Sequence, residues 1–157
     1  MGLYDRDYVR DGNYRGDDGF PKPSQWSVVT WLIVINAAVL LIQMLYLSEE
    51  RIGTVTRAEV FAGHIYLLLT YQFVHADLWH LGLNMLMLHF MGRPLLSRIG
   101  PKQFLGLYLG AGVFGGLVQI LYSPHPILGA SAAVFGVLYG MISLTPWQEV
   151  YLLLFFV

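Results

Sequence analysis

Residues 26–47 read WSVVTWLIVINAAVLLIQMLYL, a run of 22 residues whose only strongly polar members are Asn36 and Gln43. An α-helix needs about 20 predominantly apolar residues to cross the hydrocarbon core of a bilayer. A helix also satisfies its own backbone hydrogen bonds, which lipid cannot do. The run therefore predicts a transmembrane helix in an all-α membrane protein.

The overall composition agrees with this prediction. Hydrophobic residues make up 56% of the 157 residues and charged residues 12%, against about 25% charged in a typical soluble domain. The mean hydropathy is +0.57, and the length suits one membrane domain of a few helices. The net charge of −1 gives no indication of a nucleic-acid partner. Because the chain has no cysteine, disulfides, thiolate metal sites and cysteine nucleophiles are excluded.

The segments on either side of the first predicted helix are polar or mixed. Residues 1–25 combine five aspartates with four basic residues, which predicts a disordered tail. Residues 48–63 are polar, and residues 64–79 become apolar and aromatic but keep two histidines and an aspartate. That mixture is typical of an interfacial, partly inserted loop. The chain thus divides into a tail over 1–25 and one membrane domain over 26–157.

Three further helices are predicted at about 80–96, at about 104–121, and from Ser131 to just before Pro146. Residues 150–157 are apolar, but as a helix they would cover only about 12 Å of a core about 30 Å thick. A helix ending there would leave its carbonyls unpaired in lipid. We therefore expect a polytopic transmembrane bundle of about four complete helices plus part of a fifth, with the chain cut inside that fifth helix.

The short loops predict the orientation of the bundle. The loop over 93–102 carries three basic residues and no acidic one, whereas the loop over 122–128 carries neither Lys, Arg, Asp nor Glu. By the positive-inside rule the first loop and the N-terminus are cytoplasmic, and the second loop is external. His80 and Ser131, each near the start of a predicted helix, are then expected toward the same outer face.

Glycines at four-residue spacing recur in the third and fourth predicted helices. The pairs are Gly106 and Gly110, Gly112 and Gly116, and Gly136 and Gly140. Small residues at this spacing let membrane helices approach closely. We interpret the pattern as packing architecture without a role in chemistry.

Ser131 is the candidate nucleophile. It lies in the sequence Gly129-Ala130-Ser131-Ala132, whose small residues let a substrate backbone come close. At a helix start, unpaired N–H groups and the positive end of the helix dipole favour a developing oxyanion. A serine hydroxyl still needs a base to take its proton. The alternative is that Ser131 is simply a helix N-cap after a proline-containing loop.

His80 and Asn84 form a second polar pair in an apolar helix. Because they are four residues apart, they share one helix face at about 6 Å along the axis. Both side chains can donate hydrogen bonds, so they suit an oxyanion hole. The competing interpretation is that they join helices through interhelical hydrogen bonds.

The other histidines carry weaker signals. His75 and His80 flank Asp77, but there is no His-Glu-x-x-His pattern and no evident third ligand, so no metal site is predicted. His75 is interpreted as a loop histidine near the membrane interface. His89 is interpreted as a packing or lipid-facing residue and His125 as a solvated loop residue.

Taken in order, four motifs resemble the rhomboid family of intramembrane serine proteases. They are LTYQFVH at 69–75, His80-x-x-x-Asn84, Gly92-Arg93-Pro94, and GASAAVFG at 129–136. The resemblance runs from about Trp26 to the C-terminus and implies a six-helix core with a Ser–His dyad and a partly inserted first loop. It assigns Ser131 as the nucleophile with its backbone N–H as one oxyanion donor. It assigns His80 and Asn84 as side-chain oxyanion donors.

The chain departs from that pattern at several places. The family commonly has Trp-Arg in the first loop where this chain has Tyr66-Leu67, and a frequent acidic residue appears here as Leu96. Ala132 follows the serine where glycine is frequent, a small change that should fit. The dyad histidine of the family lies on the sixth helix, so we expect it beyond Val157 and expect the chain as given to be inactive alone.

The sequence therefore predicts a serine endopeptidase that cleaves peptide bonds within or beside transmembrane segments of membrane proteins, without a cofactor or metal. Its expected partners are those substrates and the lipid bilayer. Its expected location is a bacterial inner (plasma) membrane, as a multi-pass protein. The alternatives are a catalytically inactive rhomboid-like protein that binds membrane clients and, less favoured, a small-solute channel or transporter lined by His80, Asn84 and Ser131.

Overall fold

The computed structural model describes residues 26–46 and 53–144. The predicted tail (1–25) and the predicted fifth helix (150–157) lie outside those residues. The elements are α1 (Val28–Tyr46), α2 (Arg57–Phe61), α3 (Leu67–Thr70), a 3₁₀ turn (Tyr71–Phe73), α4 (Leu78–Ile99), α5 (Pro101–Tyr122) and α6 (Ser131–Leu144). The all-α prediction is confirmed, and α1, α4, α5 and α6 match the four predicted helices.

Local chemistry explains where α4 begins and where the chain passes from α4 to α5. Asp77 caps the start of α4, because its side chain accepts a hydrogen bond from the His80 N–H at 2.7 Å. Gly100 has φ +80°, a conformation that L side chains rarely adopt, and so separates the two helices. Pro101 then occupies the first turn of α5, where its missing N–H costs nothing.

Two of the described helices are long and apolar enough to cross a membrane, namely α1 over Val28–Leu45 and α5 over Pro101–Tyr122. The apolar α6 has 14 residues over Ser131–Leu144, which is shorter than a full span. Large apolar side chains on α1 face outward, with Leu41 57% exposed. In water such a surface would be unfavourable, whereas in lipid it has no cost.

The main core lies where α1, α4, α5 and α6 meet. Its largest fully buried apolar or aromatic residues are Leu88, Leu95, Phe104 and Tyr108. A smaller core of Val55, Leu67, Tyr71 and Ile120 lies beneath the segment that joins α1 to α4.

The predicted interfacial loop is a folded unit attached to the end of α5. The Arg57 guanidinium donates hydrogen bonds to the carbonyl oxygens of Ile120 (2.6 Å) and Leu121 (2.7 Å), which are left unpaired at the helix C-terminus. Val55 and Ile127 exchange backbone hydrogen bonds in an isolated antiparallel bridge. The loop before α2 and the loop before α6 therefore lie at the same end of the bundle.

Close packing of glycines is confirmed for the α5–α6 contact but not along all of α5. A Cβ built on Gly115 would lie 2.5 Å from the Ala132 Cβ, and one built on Gly136 would collide with Ala111. For Gly106 and Gly110, no atom of the described residues lies within 4 Å of a built Cβ, so the structure does not confirm the packing prediction for that pair.

Candidate active site

Ser131 is the first residue of α6 and is half-buried. The Ala130 carbonyl accepts the first helical hydrogen bond, from the Val134 N–H at 2.9 Å, so Ala130 occupies the N-cap position. The N-cap interpretation of Ser131 is therefore wrong. Within the part of the chain that the structure describes, the Ser131 hydroxyl makes no hydrogen bond. It stands at the N-terminus of α6.

The turn before Ser131 depends on Gly129. This residue has φ +105°, and its N–H donates to the Tyr71 carbonyl at 3.0 Å. Tyr71 is itself fixed, because its hydroxyl donates to the Gly112 carbonyl at 2.6 Å. The 3₁₀ turn thus links α5 to the backbone that precedes the serine.

The imidazole of His80 lies directly against Gly129. A Cβ built at position 129 would fall 2.6 Å from the His80 Cε1 and 2.8 Å from its Nε2, so the ring occupies the space of a side chain there. Gly129 is two residues before Ser131. The structure therefore brings the first turn of α4 and the start of α6 together, as the sequence predicted for His80 and Ser131.

Asn84 lies one turn after His80 on the buried face of α4, between Leu81 and Leu88. Its Nδ2 donates to the His80 carbonyl at 2.8 Å, which uses one of its two amide hydrogens. Leu81 and Leu88 belong to the same core as Ala130 and Ala133 of α6. The face of α4 that carries Asn84 therefore packs toward α6.

His75 lies in the loop before α4, as the sequence predicted, and its side chain is fully buried, which the sequence did not indicate. Its ring contacts the His80 ring edge-on, with 5.2 Å between the ring centroids. Burial lowers the pKa of His75 to about 4, so its imidazole is neutral at pH 7. One sequence signal could have indicated that His75 is buried. Gln43 is an amide within an apolar helix, and such a buried amide needs a hydrogen-bond partner from another segment.

Two of the three remaining histidines, His89 and His125, can be compared with their predictions. His125 is exposed on the loop before α6, and His89 is half-buried with its ring against Phe90. Both agree with their predicted non-catalytic surroundings. Across residues 26–46 and 53–144 no three His, Cys, Asp or Glu side chains are grouped so that they could hold a metal ion.

Comparison with known proteins adds an independent observation. Residues 62–157 match the family model described as Rhomboid domain. The chain is 37% identical over 90 residues to Rhomboid protein 1, mitochondrial, of Saccharomyces cerevisiae, covering 53% of this chain and 26% of that protein. It is 38% identical over 76 residues to Rhomboid protease GluP of Bacillus subtilis, covering 48% of this chain and 15% of that protein.

A third relative is named as inactive. The chain is 29% identical over 96 residues to Inactive RHOMBOID-like protein 8 of Arabidopsis thaliana, covering 60% of this chain and 27% of that protein. The chain therefore spans only a minor part of the length of each of these relatives. No solved structure gives a significant match to the chain.

Proposed function

The chain belongs to the rhomboid family, and from that premise we propose that it forms the nucleophile-bearing part of an intramembrane serine endopeptidase. The proposed substrates are transmembrane proteins, cleaved within or beside their membrane-spanning segments. The observation that carries the proposal is the placement of the His80 imidazole on Gly129, two residues before a serine at the start of α6.

In the proposed mechanism the Ser131 Oγ attacks the scissile carbonyl carbon and forms a tetrahedral intermediate. The backbone N–H of Ser131 and the side chains of His80 and Asn84 donate hydrogen bonds to its oxyanion. The amine leaves with a proton, and water then hydrolyses the acyl-enzyme. The proton acceptor in this scheme is the dyad histidine that the family resemblance implies. No cofactor takes part.

The inactive alternative is that the protein binds membrane clients without cutting them. It is favoured by one specific observation, namely that a relative of comparable similarity carries the word inactive in its name. The two functions differ in whether the Ser131 hydroxyl reacts. If the protein were instead a channel or transporter, the Ser131 hydroxyl would not react with a serine-directed probe either.

The test is covalent labelling of the purified full-length protein with a fluorophosphonate probe. We expect the wild type to be labelled and Ser131→Ala to lose the label. Ser143→Ala is a matched control on the same helix, because the Ser143 hydroxyl is committed to the Tyr139 carbonyl at 2.8 Å. That variant should label as the wild type does. A folded wild-type protein that neither labels nor cleaves would refute the peptidase and leave client binding as the better account.

We further propose that the protein spans a bacterial inner membrane several times with its N-terminus in the cytoplasm. The charge difference between the α4–α5 junction at 93–102 and the loop at 122–128 supports the orientation. One relative is from a bacterium, although another is named as mitochondrial.

A further inference from the structure

The segment just before α4 is held by α1 through one amide side chain. The Gln43 Nε2 donates to the His75 carbonyl at 3.1 Å, and the His75 N–H donates to the Gln43 Oε1 at 3.2 Å. Gln43 is therefore bonded to both backbone groups of one residue, as a strand partner would be. Both residues are buried, so breaking this pair would leave polar groups without water.

Gln43 fixes the His75 backbone, and the His75 side chain in turn contacts His80. Its Nδ1 lies 3.3 Å from the Phe73 carbonyl, which orients the ring, and its edge packs against the His80 imidazole. The His80 ring also lies against Gly129. The His80 imidazole thus contacts both the His75 ring and the backbone before Ser131.

The backbone of His80 is fixed as well. Its N–H donates to the Asp77 carboxylate, and its carbonyl accepts from the Asn84 amide. These two bonds hold only the backbone of His80, so the imidazole can still rotate about its side-chain torsions. The His75 ring contacts the His80 imidazole and so limits this rotation.

We propose that Gln43 and His75 are positioning residues that hold the His80 imidazole in the orientation required for oxyanion stabilisation. This inference rests on the proposed peptidase function. Neither residue touches the substrate in this scheme, since Gln43 acts through the His75 backbone and His75 acts through the His80 ring. Misplacing a donor by about 1 Å can cost about 10²-fold in rate, so a remote contact of this kind matters for catalysis.

The experiment measures cleavage of a transmembrane substrate by the full-length protein, with the rate divided by the number of reactive serines. Those serines are counted from the end point of a long fluorophosphonate incubation. If a residue is only structural, its substitution lowers the number of reactive serines. If it is a positioning residue, its substitution lowers kcat for each reactive serine. We expect His75→Ala to lower kcat per site on the order of tenfold with little change in KM, and His75→Phe, which keeps a ring at that position, to retain most of the rate.

A double-mutant cycle with His80→Ala tests whether His75 acts through His80. If it does, His75→Ala has no further effect on kcat per site once the His80 imidazole is gone. Equal effects of His75→Ala in both backgrounds, or no effect per site in the wild type, would overturn the inference. A wild type without label or cleavage would instead count against the peptidase function itself.

Gln43→Leu and Asn36→Leu form the matched pair on α1. Asn36 is also a buried amide, but its Nδ2 donates to the Leu32 carbonyl within its own helix. Both variants are expected to lower stability, and only Gln43→Leu is expected to lower kcat per site. If the two variants lower kcat per site equally, Gln43 has no positioning role.

Discussion

At the scale of single residues, the candidate site depends most on a position without a side chain. Gly129 combines a positive φ with the close approach of the His80 ring. Glycine adopts this conformation readily, whereas other residues are strained in it. A backbone requirement and a steric requirement therefore coincide two residues before the candidate nucleophile.

We predict that Gly129→Ala lowers the fluorophosphonate labelling rate at least about tenfold, because the new Cβ would displace the His80 imidazole. Gly63→Ala is the matched control, since Gly63 has φ +99° but open space within 4 Å. That substitution introduces similar backbone strain without a collision. It should lower the melting temperature slightly and leave the labelling rate unchanged. Equal labelling by both variants would contradict the prediction.

Ala132 shows how a departure from the family pattern is accommodated. The family frequently has glycine at this position, and the additional methyl group of Ala132 faces Gly115 on α5. Because Gly115 has no Cβ, there is room for the Cβ of Ala132. The sequence indicated that alanine should fit, and the structure gives the reason.

At the scale of secondary-structure elements, α5 and α6 pack through small residues, with Gly115 against Ala132 and Gly136 against Ala111. Membrane helices gain little from hydrophobic association, so close backbone contact supplies much of their packing energy. This contact also sets the position of the first turn of α6, and with it the position of Ser131.

We predict that Gly115→Ala destabilises the fold and slows labelling, because its Cβ would lie 2.5 Å from the Ala132 Cβ and force the helices apart. Gly110→Ala is the control on the same helix, where no atom of the described residues lies within 4 Å of the added Cβ. It should be neutral or stabilising by up to about 1 kcal/mol, because alanine favours a helix more than glycine does. Thermal unfolding in detergent measures both variants, and a destabilising Gly110→Ala with a neutral Gly115→Ala would refute the argument.

At the scale of the whole molecule, the three contacts that define the site lie at one end of the bundle. Arg57 binds the carbonyls at the end of α5, Val55 pairs with Ile127, and His80 lies on Gly129. The predicted loop at 93–102 is instead helical except at Gly100, because α4 runs to Ile99 and α5 begins at Pro101, and its basic residues lie around this junction. The sequence prediction that the loops at 48–79 and 122–128 share a side agrees with the contacts of their described residues.

The absence of cysteine from the chain makes this arrangement testable in cells. We predict that a cysteine introduced by His125→Cys reacts with an impermeant maleimide from outside, while Ser97→Cys reacts only after the membrane is opened. Both positions are exposed in the structure, so access to the reagent is decided by sidedness. The opposite result would invert the proposed topology, and labelling of both from outside would contradict the proposed membrane span of α5.

The four long helices and the all-α class could be predicted from the sequence, and Ser131, His80 and Asn84 could be selected from it as candidate site residues. These depend on hydropathy and helical spacing, which are local properties. Tertiary structure alone decided that His75 is buried, that Gln43 on a distant helix binds its backbone, and that Gly115 accommodates Ala132. Each of these depends on contacts between segments far apart in the chain, and the burial or partner of a side chain is fixed only once those segments have packed.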